Sequence, residues 1–199
     1  MQRICKLSAG FSAVELVVAL ALTAIIAAVG LPITGNTLAE FRLSGDAHAL
    51  ANSTAVTKMR AAATFSNARL YVDLVNKSYH VETWRKTGTP AWVADGGSTL
   101  ISSRNALSFG VVGTAPPSTQ STIAQAPPCR DAANQTIAGT ACLLFNSRGV
   151  AVDSTGSPNG TGALYLSGDA GVWAITVTAG GQIQLWRAPA TQSPTWTLQ

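Results

Sequence analysis

The N-terminal part of the chain is a single long apolar run. From position 11 to position 33, Glu15 is the one charged side chain. As a helix, these residues would extend about 35 Å, which is enough to cross a hydrocarbon core of about 30 Å. The run is longer than the apolar region of a cleaved secretory signal, and Arg3 and Lys6 precede it. The pattern therefore predicts a membrane-spanning helix over 11–33, with its N-terminus in the cytoplasm and the following residues outside.

After this run, the pattern becomes that of an amphipathic helix. Gly30, Pro32 and Gly35 should loosen the helix at the junction, because proline removes a helical hydrogen bond. The pattern predicts that the helix continues over 34–63 and that its second half packs on a sheet. The predicted apolar stripe follows three- and four-residue steps or their multiples and consists of Leu38, Phe41, Ala49, Val56 and Met59.

The remaining residues, 64–199, alternate between short strand-like segments and turns. Residues 76–78 and 180–181 are hairpin signals, and the alternation in 172–178 predicts a strand with one buried face. Residues 113–128 contain four prolines and no periodicity, which predicts a flexible loop. The segments predicted to be strands are 69–75, 79–84, 100–103, 107–112, 142–145, 163–166, 172–178 and 182–186.

Composition and charge favour an exported β-rich domain. Charged residues make up only 11% of the chain and the mean hydropathy is positive, while Ala, Gly, Ser and Thr dominate after the apolar run. The formal net charge of +4 falls to +2 when Arg3 and Lys6 are left out. Basic residues are scattered, and 85–86 is the one adjacent pair. The small excess of basic over acidic residues is therefore weak evidence for a nucleic-acid partner.

The chain has three cysteines, and two of them lie after the apolar run. Cys5 precedes the run, whereas Cys129 and Cys142 follow it. An even pair in an exported domain indicates a disulfide, which would close a loop of about 14 residues and stabilise the fold by about 3 kcal/mol. The alternative is two unrelated buried thiols.

The residues at the start of the apolar run match a known signal. Gly10-Phe11-Ser12-Ala13-Val14-Glu15, after a short basic leader at 1–10, resembles the type III signal of type IV pilins and type II secretion pseudopilins. The resemblance implies that a prepilin peptidase cuts between Gly10 and Phe11 and methylates the new amine of Phe11. Pro32 falls where this family commonly has a helix-loosening proline. The alternative is a plain membrane anchor in which Glu15 is accidental.

The same resemblance implies a role for Glu15. In the family, this carboxylate meets the positive N-terminal amine of a neighbouring subunit during filament assembly. The physics supports such a pair, because opposite charges attract strongly in a low dielectric and each offsets the other's desolvation. A subunit out of register would leave both charges unpaired, so Glu15 would set the axial stagger of the helices.

The C-terminal half resembles a narrower group within that family. The segments "CLLFNSRGVAVDSTG" and "VWAITVTAGGQIQLWR" are similar to the ectodomain of GspH/FimT-like pseudopilins. Members of that group have an apolar strand, a Phe-x-x-x-Gly element and a last hairpin of the form Val-x-x-x-Gly-Arg-Ile. The matching positions here are Phe145, Gly149, Val177, Gly181 and Ile183.

One departure from the group concerns DNA. Its DNA-binding members tend to have Gly-Arg-x-Arg in the final hairpin, whereas this chain has glutamine at 182 and 184. Glutamine cannot supply the phosphate-binding charge of arginine. Arg187 remains as a single weak candidate for a DNA contact, so direct DNA capture is not expected.

Other chemistry finds little support in the sequence. His48 and His80 have no metal-ligand spacing with each other or with cysteine, and no motif for nucleophilic or acid–base catalysis is present. Residues 153–160 read as a polar turn, with a weak calcium site as the alternative. We therefore expect no enzyme activity, no cofactor and no metal. Tryptophans that could fill a sheet core or rim, or form a binding platform, are Trp84, Trp92, Trp173, Trp186 and Trp196.

Together, the patterns and resemblances predict an α+β, pilin-like fold. A long N-terminal helix, transmembrane and then amphipathic, would pack on a C-terminal antiparallel β-sheet head. The expected protein is a minor pilin or pseudopilin of a type II secretion pseudopilus or a type IV pilus, placed in the inner membrane with its head in the periplasm. Expected partners are other pilin-like subunits, the prepilin peptidase and the assembly platform. The alternative is a pilus-associated DNA receptor for natural transformation.

Overall fold

The computed structural model describes most of the chain. The described residues are 12–102, 105–107, 124–160, 162–189 and 196–199, and the side chains of 29–36 and of residue 124 are not described. The chain divides into two compact units, Met1–Leu38 and Ala39–Gln199. Among the described residues, no helix meets the length and hydropathy required to cross a membrane.

One helix, α1 (Ala13–Ala63), contains 51 residues. Its end is defined by two backbone hydrogen bonds: Ser66 N donates to Ala61 O at 3.2 Å, and Phe65 N donates to Ala62 O at 3.3 Å. Phe65 has a φ of +48°, so it takes the left-handed position at which helices often end with glycine. The last part of α1, from Ala39 onward, belongs to the same unit as the strands.

Eleven strands follow α1 within the described residues. They are β1 (Ala68–Asp73), β2 (Ser78–Arg85), β3 (Ala91–Ala94), β4 (Thr99–Leu100), β5 (Ala124–Gln125), β6 (Thr140–Phe145), β7 (Ala151–Val152), β8 (Gly162–Gly168), β9 (Gly171–Val177), β10 (Ile183–Ala188) and β11 (Thr197–Leu198).

These strands form two sheets. Sheet A has the order β3-β2-β1-β6-β7, and β4 also pairs with β2; sheet B has the order β11-β10-β9-β8-β5. The pairs are antiparallel except for the parallel pair of β5 with β8. The prediction of an α+β fold with antiparallel sheets is therefore confirmed.

The main core joins α1 to both sheets. Along α1, buried positions recur at alternating steps of four and three residues, as expected for one face of a helix. Apolar side chains from both sheets join the same cluster, among them Leu70, Phe145, Leu166 and Ile175. The buried positions of α1 are Leu43, Ala47, Leu50, Thr54, Thr57 and Ala61.

The predicted apolar stripe of α1 is not the buried face. Phe41 is 70% exposed and Met59 is 61% exposed, whereas Leu43 is 1% exposed. The buried face is built largely from alanine and threonine, which let the helix approach the sheets closely. Thr54 and Thr57 can be buried because their hydroxyls donate to the carbonyls of Leu50 and Ser53, four residues earlier, at 2.8 and 2.7 Å.

Most strand predictions are confirmed, with shifts at the ends. The hairpin of β1 and β2 turns at 74–77, and that of β9 and β10 turns at 178–182. The predicted strand at 100–103 is correct at Leu100 and wrong at 101–102, and residue 103 and most of the predicted strand at 107–112 lie outside the described residues. The strands β3, β5, β7 and β11 were not predicted, and the last three of these have only two residues each.

Two further expectations need correction. The predicted loop at 113–128 is described only from residue 124 onward, and there Ala124–Gln125 pairs with β8. The strand β9 was predicted to bury one face, but all seven of its residues are buried. Trp173, Ile175 and Val177 face the main core, while Val172 and Ala174 join a second cluster. That cluster covers the outer face of sheet B and includes Tyr165, Trp186 and Trp196.

Candidate functional site

The described part of the N-terminal signal begins with a capped helix. Gly10 and Phe11, the predicted cleavage and methylation positions, lie outside the described residues. Ser12 is the N-cap of α1: its Oγ accepts a hydrogen bond from Val14 N at 3.4 Å, and Glu15 Oε2 accepts one from Ser12 N at 3.2 Å. This arrangement is a capping box, in which an N-cap serine and a glutamate three residues later satisfy free N–H groups at the helix start.

The helix that carries Glu15 has exposed apolar side chains throughout its first turns. Every described side chain from 12 to 28 is exposed. The large apolar residues in this stretch are between 52% and 71% exposed, and they are Val14, Leu16, Val17, Val18, Leu20, Leu22, Ile25 and Ile26. Pro32 lies within α1, but its side chain is outside the described residues. Soluble monomers rarely leave such a contiguous apolar surface uncovered.

Two of the glycines that match the GspH/FimT pattern lie against each other. Gly149 and Gly181 have φ values of +73° and +76°, which favour glycine. A Cβ atom on Gly181 would lie 2.1 Å from Gly149 O. Lys58 of α1 donates from Nζ to Gly181 O at 2.9 Å, and the carbon atoms of its side chain lie against Gly149. These glycines therefore allow the last hairpin to close on the turn before β7 and on the helix.

Arg187, the weak candidate for a DNA contact, has an internal partner. Its guanidinium forms an ion pair with Glu40 of α1 and lies 5.9 Å from the centre of the Trp173 ring. Because Glu40 neutralises this charge, Arg187 does not present a free cation to a phosphate backbone.

The remaining candidates have packing or turn roles. His48 packs beside Trp173, with ring centres 5.6 Å apart. His80 stacks on Tyr71 at 4.8 Å, and its Nε2 lies 3.2 Å from Glu82 Oε1. The described residues contain no group of three or more His, Cys, Asp and Glu side chains that could hold a metal.

The polar segment 153–160 begins with a turn organised by one carboxylate. Asp153 Oδ1 accepts hydrogen bonds from Thr155 N, Thr155 Oγ1 and Ser157 N at 2.8, 2.6 and 3.0 Å. These bonds lower the pKa of Asp153, because they stabilise its charged form. The carboxylate therefore shapes the turn.

The cysteine pair fixes a segment to the outer face of sheet A. Cys129 and Cys142 form a disulfide, and Cys142 lies in β6 on the face opposite the core. Cys129 N also donates to Thr140 Oγ1 at 2.9 Å. The disulfide thus holds the residues after Gln125 over the sheet.

A cleft of about 420 Å³ lies between this segment and sheet A. Trp84 and Trp92 are directly opposite each other on β2 and β3, and their ring centres are 5.1 Å apart at an angle of 61°. Arg69 and Leu144 lie opposite each other on β1 and β6 and continue the floor of the cleft. Its walls are the disulfide-linked segment and the turn at Asp153.

Arg69 connects the floor of the cleft to its wall. It is 4% exposed, forms an ion pair with Glu82, and donates from its NH1 group to Arg130 O. Its guanidinium lies 4.1 Å from the centre of the Trp92 ring. Burial lowers the pKa of Arg69, and the neighbouring Glu82 carboxylate opposes that shift. The cation is therefore held in one position by charge, hydrogen bonding and cation–π contact.

The sequence patterns did not predict this cleft. The sequence does contain an indication of the cleft, because large or charged side chains occupy positions of the strands that face away from the core. These residues are Arg69, Glu82, Trp84 and Trp92. Their proximity depends on the pairing of β2 with β3 and on the disulfide-linked segment, neither of which periodicity can supply.

Comparison with known proteins gives one likeness. The structure is similar to the crystal structure of the minor pseudopilin EpsH from the type II secretion system of Vibrio cholerae, with 12% sequence identity and a TM-score of 0.44, covering 78% of this chain and 96% of that chain. No family model and no curated protein matches this chain. At this identity and TM-score, no residue role is transferred from that protein.

Proposed function

We propose that this chain is a minor pilin or pseudopilin, a subunit of a type II secretion pseudopilus or a type IV pilus. It would enter the inner membrane as a prepilin, be cut after Gly10 and methylated at Phe11, and then join a filament with its head in the periplasm. Its role is assembly, with no catalytic step and no cofactor.

The observation that carries the proposal is the exposed apolar helix with an acid in its first turn. Side chains from Val14 to Ile26 need a cover of lipid or of protein. A bilayer covers them in the membrane, and neighbouring helices cover them in a filament. A helix that must exist in both settings explains why Glu15 is tolerated at its start, where a charge lies close to the interface.

A second exposed stripe supports contact with other subunits. Leu38, Phe41, Val56 and Met59 lie on the side of α1 opposite its buried face, and each is at least 40% exposed. Such residues suit helix–helix packing along the filament. The alternative of a DNA receptor receives no comparable support, because Arg187 is paired with Glu40.

Processing provides the test of this proposal. Mass spectrometry of the protein from its native host is expected to show a chain that begins at N-methyl-Phe11. Gly10→Val should block cutting, because the peptidase must approach the backbone at this position, whereas Ala9→Val serves as the matched control and should be cut normally. A wild-type chain that keeps residues 1–10 in a host with active prepilin peptidase would contradict the proposal.

A further inference from the structure

The cleft on sheet A has the volume of a ligand site and an unusual lining. Its volume of about 420 Å³ falls within the range of small-molecule sites, which are about 300–1,000 Å³. Its floor is aromatic, with Trp84 and Trp92, and its walls are polar, with Asp131, Asn134 and Asp153.

The charges that line the cleft nearly balance. Two arginines, at 69 and 130, and two aspartates, at 131 and 153, contribute to its lining. Arg69 is already paired with Glu82 beneath the floor. A site with this balance offers no net attraction to a polyanion, so nucleic acid is a poor match. Since Glu82 neutralises Arg69, Arg130 remains against Asp131 and Asp153, and this excess of a single negative charge is too small to select a strongly cationic ligand.

The polar wall is pre-organised and can accept further hydrogen bonds. Asp131 Oδ1 accepts from Ala133 N at 2.9 Å and from Gln135 N at 2.7 Å. The turn hydrogen bonds of Asp153 likewise end on Oδ1. Among the described residues, the hydrogen bonds of each aspartate side chain end on Oδ1, so its own turn fixes the carboxylate, and Oδ2 is the oxygen that would accept a ligand hydroxyl.

A neutral saccharide can bind both the polar and the aromatic residues of the cleft. Its hydroxyls both donate and accept, so they can pair with carboxylates and amides alike. One face of a pyranose ring carries C–H groups, whose partial positive charge suits the negative face of an indole. A proline-rich peptide would also suit the tryptophans, but its prolines have no N–H to offer the aspartates.

We infer that the cleft on the outer face of sheet A binds a neutral oligosaccharide. Trp84 and Trp92 form the stacking floor, and Asp131, Asn134 and Asp153 bind hydroxyls. Arg69 contacts both the Trp92 ring and the carbonyl of Arg130, so it joins the floor to the disulfide-linked segment. This inference does not depend on the chain being a filament subunit.

The test uses the full-length protein purified in a detergent without a sugar headgroup, such as lauryldimethylamine oxide. An array of neutral oligosaccharides built from glucose, galactose, mannose and N-acetylglucosamine is screened by saturation-transfer NMR, and hits are measured by calorimetry. At least one oligosaccharide is expected to bind with a Kd below about 1 mM. Decaproline and duplex DNA serve as rival probes.

Variants assign the binding to the cleft. Ser154 is an exposed turn residue in the cleft lining, so Ser154→Trp should fill the cleft and weaken binding at least about tenfold. Ser98→Trp, at an exposed position outside the cleft lining, is the matched control and should bind as wild type. Asn134 has a φ of +62°, so Asn134→Gly removes a polar side chain without backbone strain and should weaken binding several-fold.

Three results would overturn the inference. The first is that no neutral oligosaccharide in the array binds. The second is that binding is the same in wild type, Ser154→Trp and Asn134→Gly, which would place the sugar elsewhere. The third is that decaproline or DNA binds in a Ser154-dependent manner while the sugars do not.

Discussion

Replacing Glu15 with leucine is expected to reduce incorporation into filaments by about two orders of magnitude, while membrane insertion and cleavage continue. The substitution makes the helix more apolar, so insertion should not suffer. Assembly should fail because the neighbour's N-terminal amine would be buried without a partner, which costs about 3–5 kcal/mol. The measurement is the fraction of tagged protein in sheared or cross-linked filaments relative to total membrane protein.

The capping box requires two further variants, because Glu15 also accepts a hydrogen bond from Ser12 N. Glutamine can replace glutamate in a capping box but has no charge. Glu15→Gln should therefore assemble as poorly as Glu15→Leu if the charge is what matters. Ser12→Ala removes the other half of the box and should assemble nearly as well as wild type. Normal incorporation of Glu15→Gln would show that Glu15 acts only on its own helix.

Gly181→Ala is expected to destabilise the head by about 2–5 kcal/mol. The left-handed backbone costs a non-glycine residue about 1–2 kcal/mol, and overpacking typically costs about 1–3 kcal/mol. Here the added Cβ would lie 2.1 Å from Gly149 O, which is a backbone atom and cannot move without shifting the turn before β7. The hydrogen bond from Lys58 to Gly181 O should weaken as the hairpin moves.

Its neighbour Gly180 provides the matched control. A Cβ there would approach nothing closer than 3.9 Å, so Gly180→Ala should change the free energy of unfolding by less than about 1 kcal/mol. Denaturant unfolding of the full chain, followed by tryptophan fluorescence, compares the two variants. Equal stabilities of the two would show that the hairpin does not depend on close contact at Gly181.

The hairpins were predictable from sequence because their signals are local. The turn residues at 76–78 and 180–181 lie between segments of alternating apolar residues. They predicted the hairpins β1–β2 and β9–β10, and the strand ends differ from the prediction by only a few residues. The second buried face of β9 was not predictable in the same way. It is covered by Trp186 of β10 and by Trp196, the residue before β11, and the placement of both depends on sheet order.

The buried face of α1 was mispredicted because two faces of the helix are apolar. Periodicity gives most weight to large side chains such as Phe41 and Met59, yet these are exposed. The face that packs on the sheets uses small residues, including Ala47 and Ala61, which a hydropathy pattern scores weakly. A pattern identifies apolar faces, but only the tertiary structure shows which face the chain itself covers.

Photo-cross-linking from Phe41 in the native host tests the central claim, that the chain is a subunit of a pilin-type filament. A photoreactive phenylalanine analogue at Phe41, 70% exposed, should form adducts that mass spectrometry identifies as other pilin-like subunits. The same analogue at Val75, 75% exposed in the turn between β1 and β2, should not, and Glu15→Leu should abolish the Phe41 adducts. Absence of subunit adducts from Phe41, or adducts that persist unchanged in Glu15→Leu, would contradict the account.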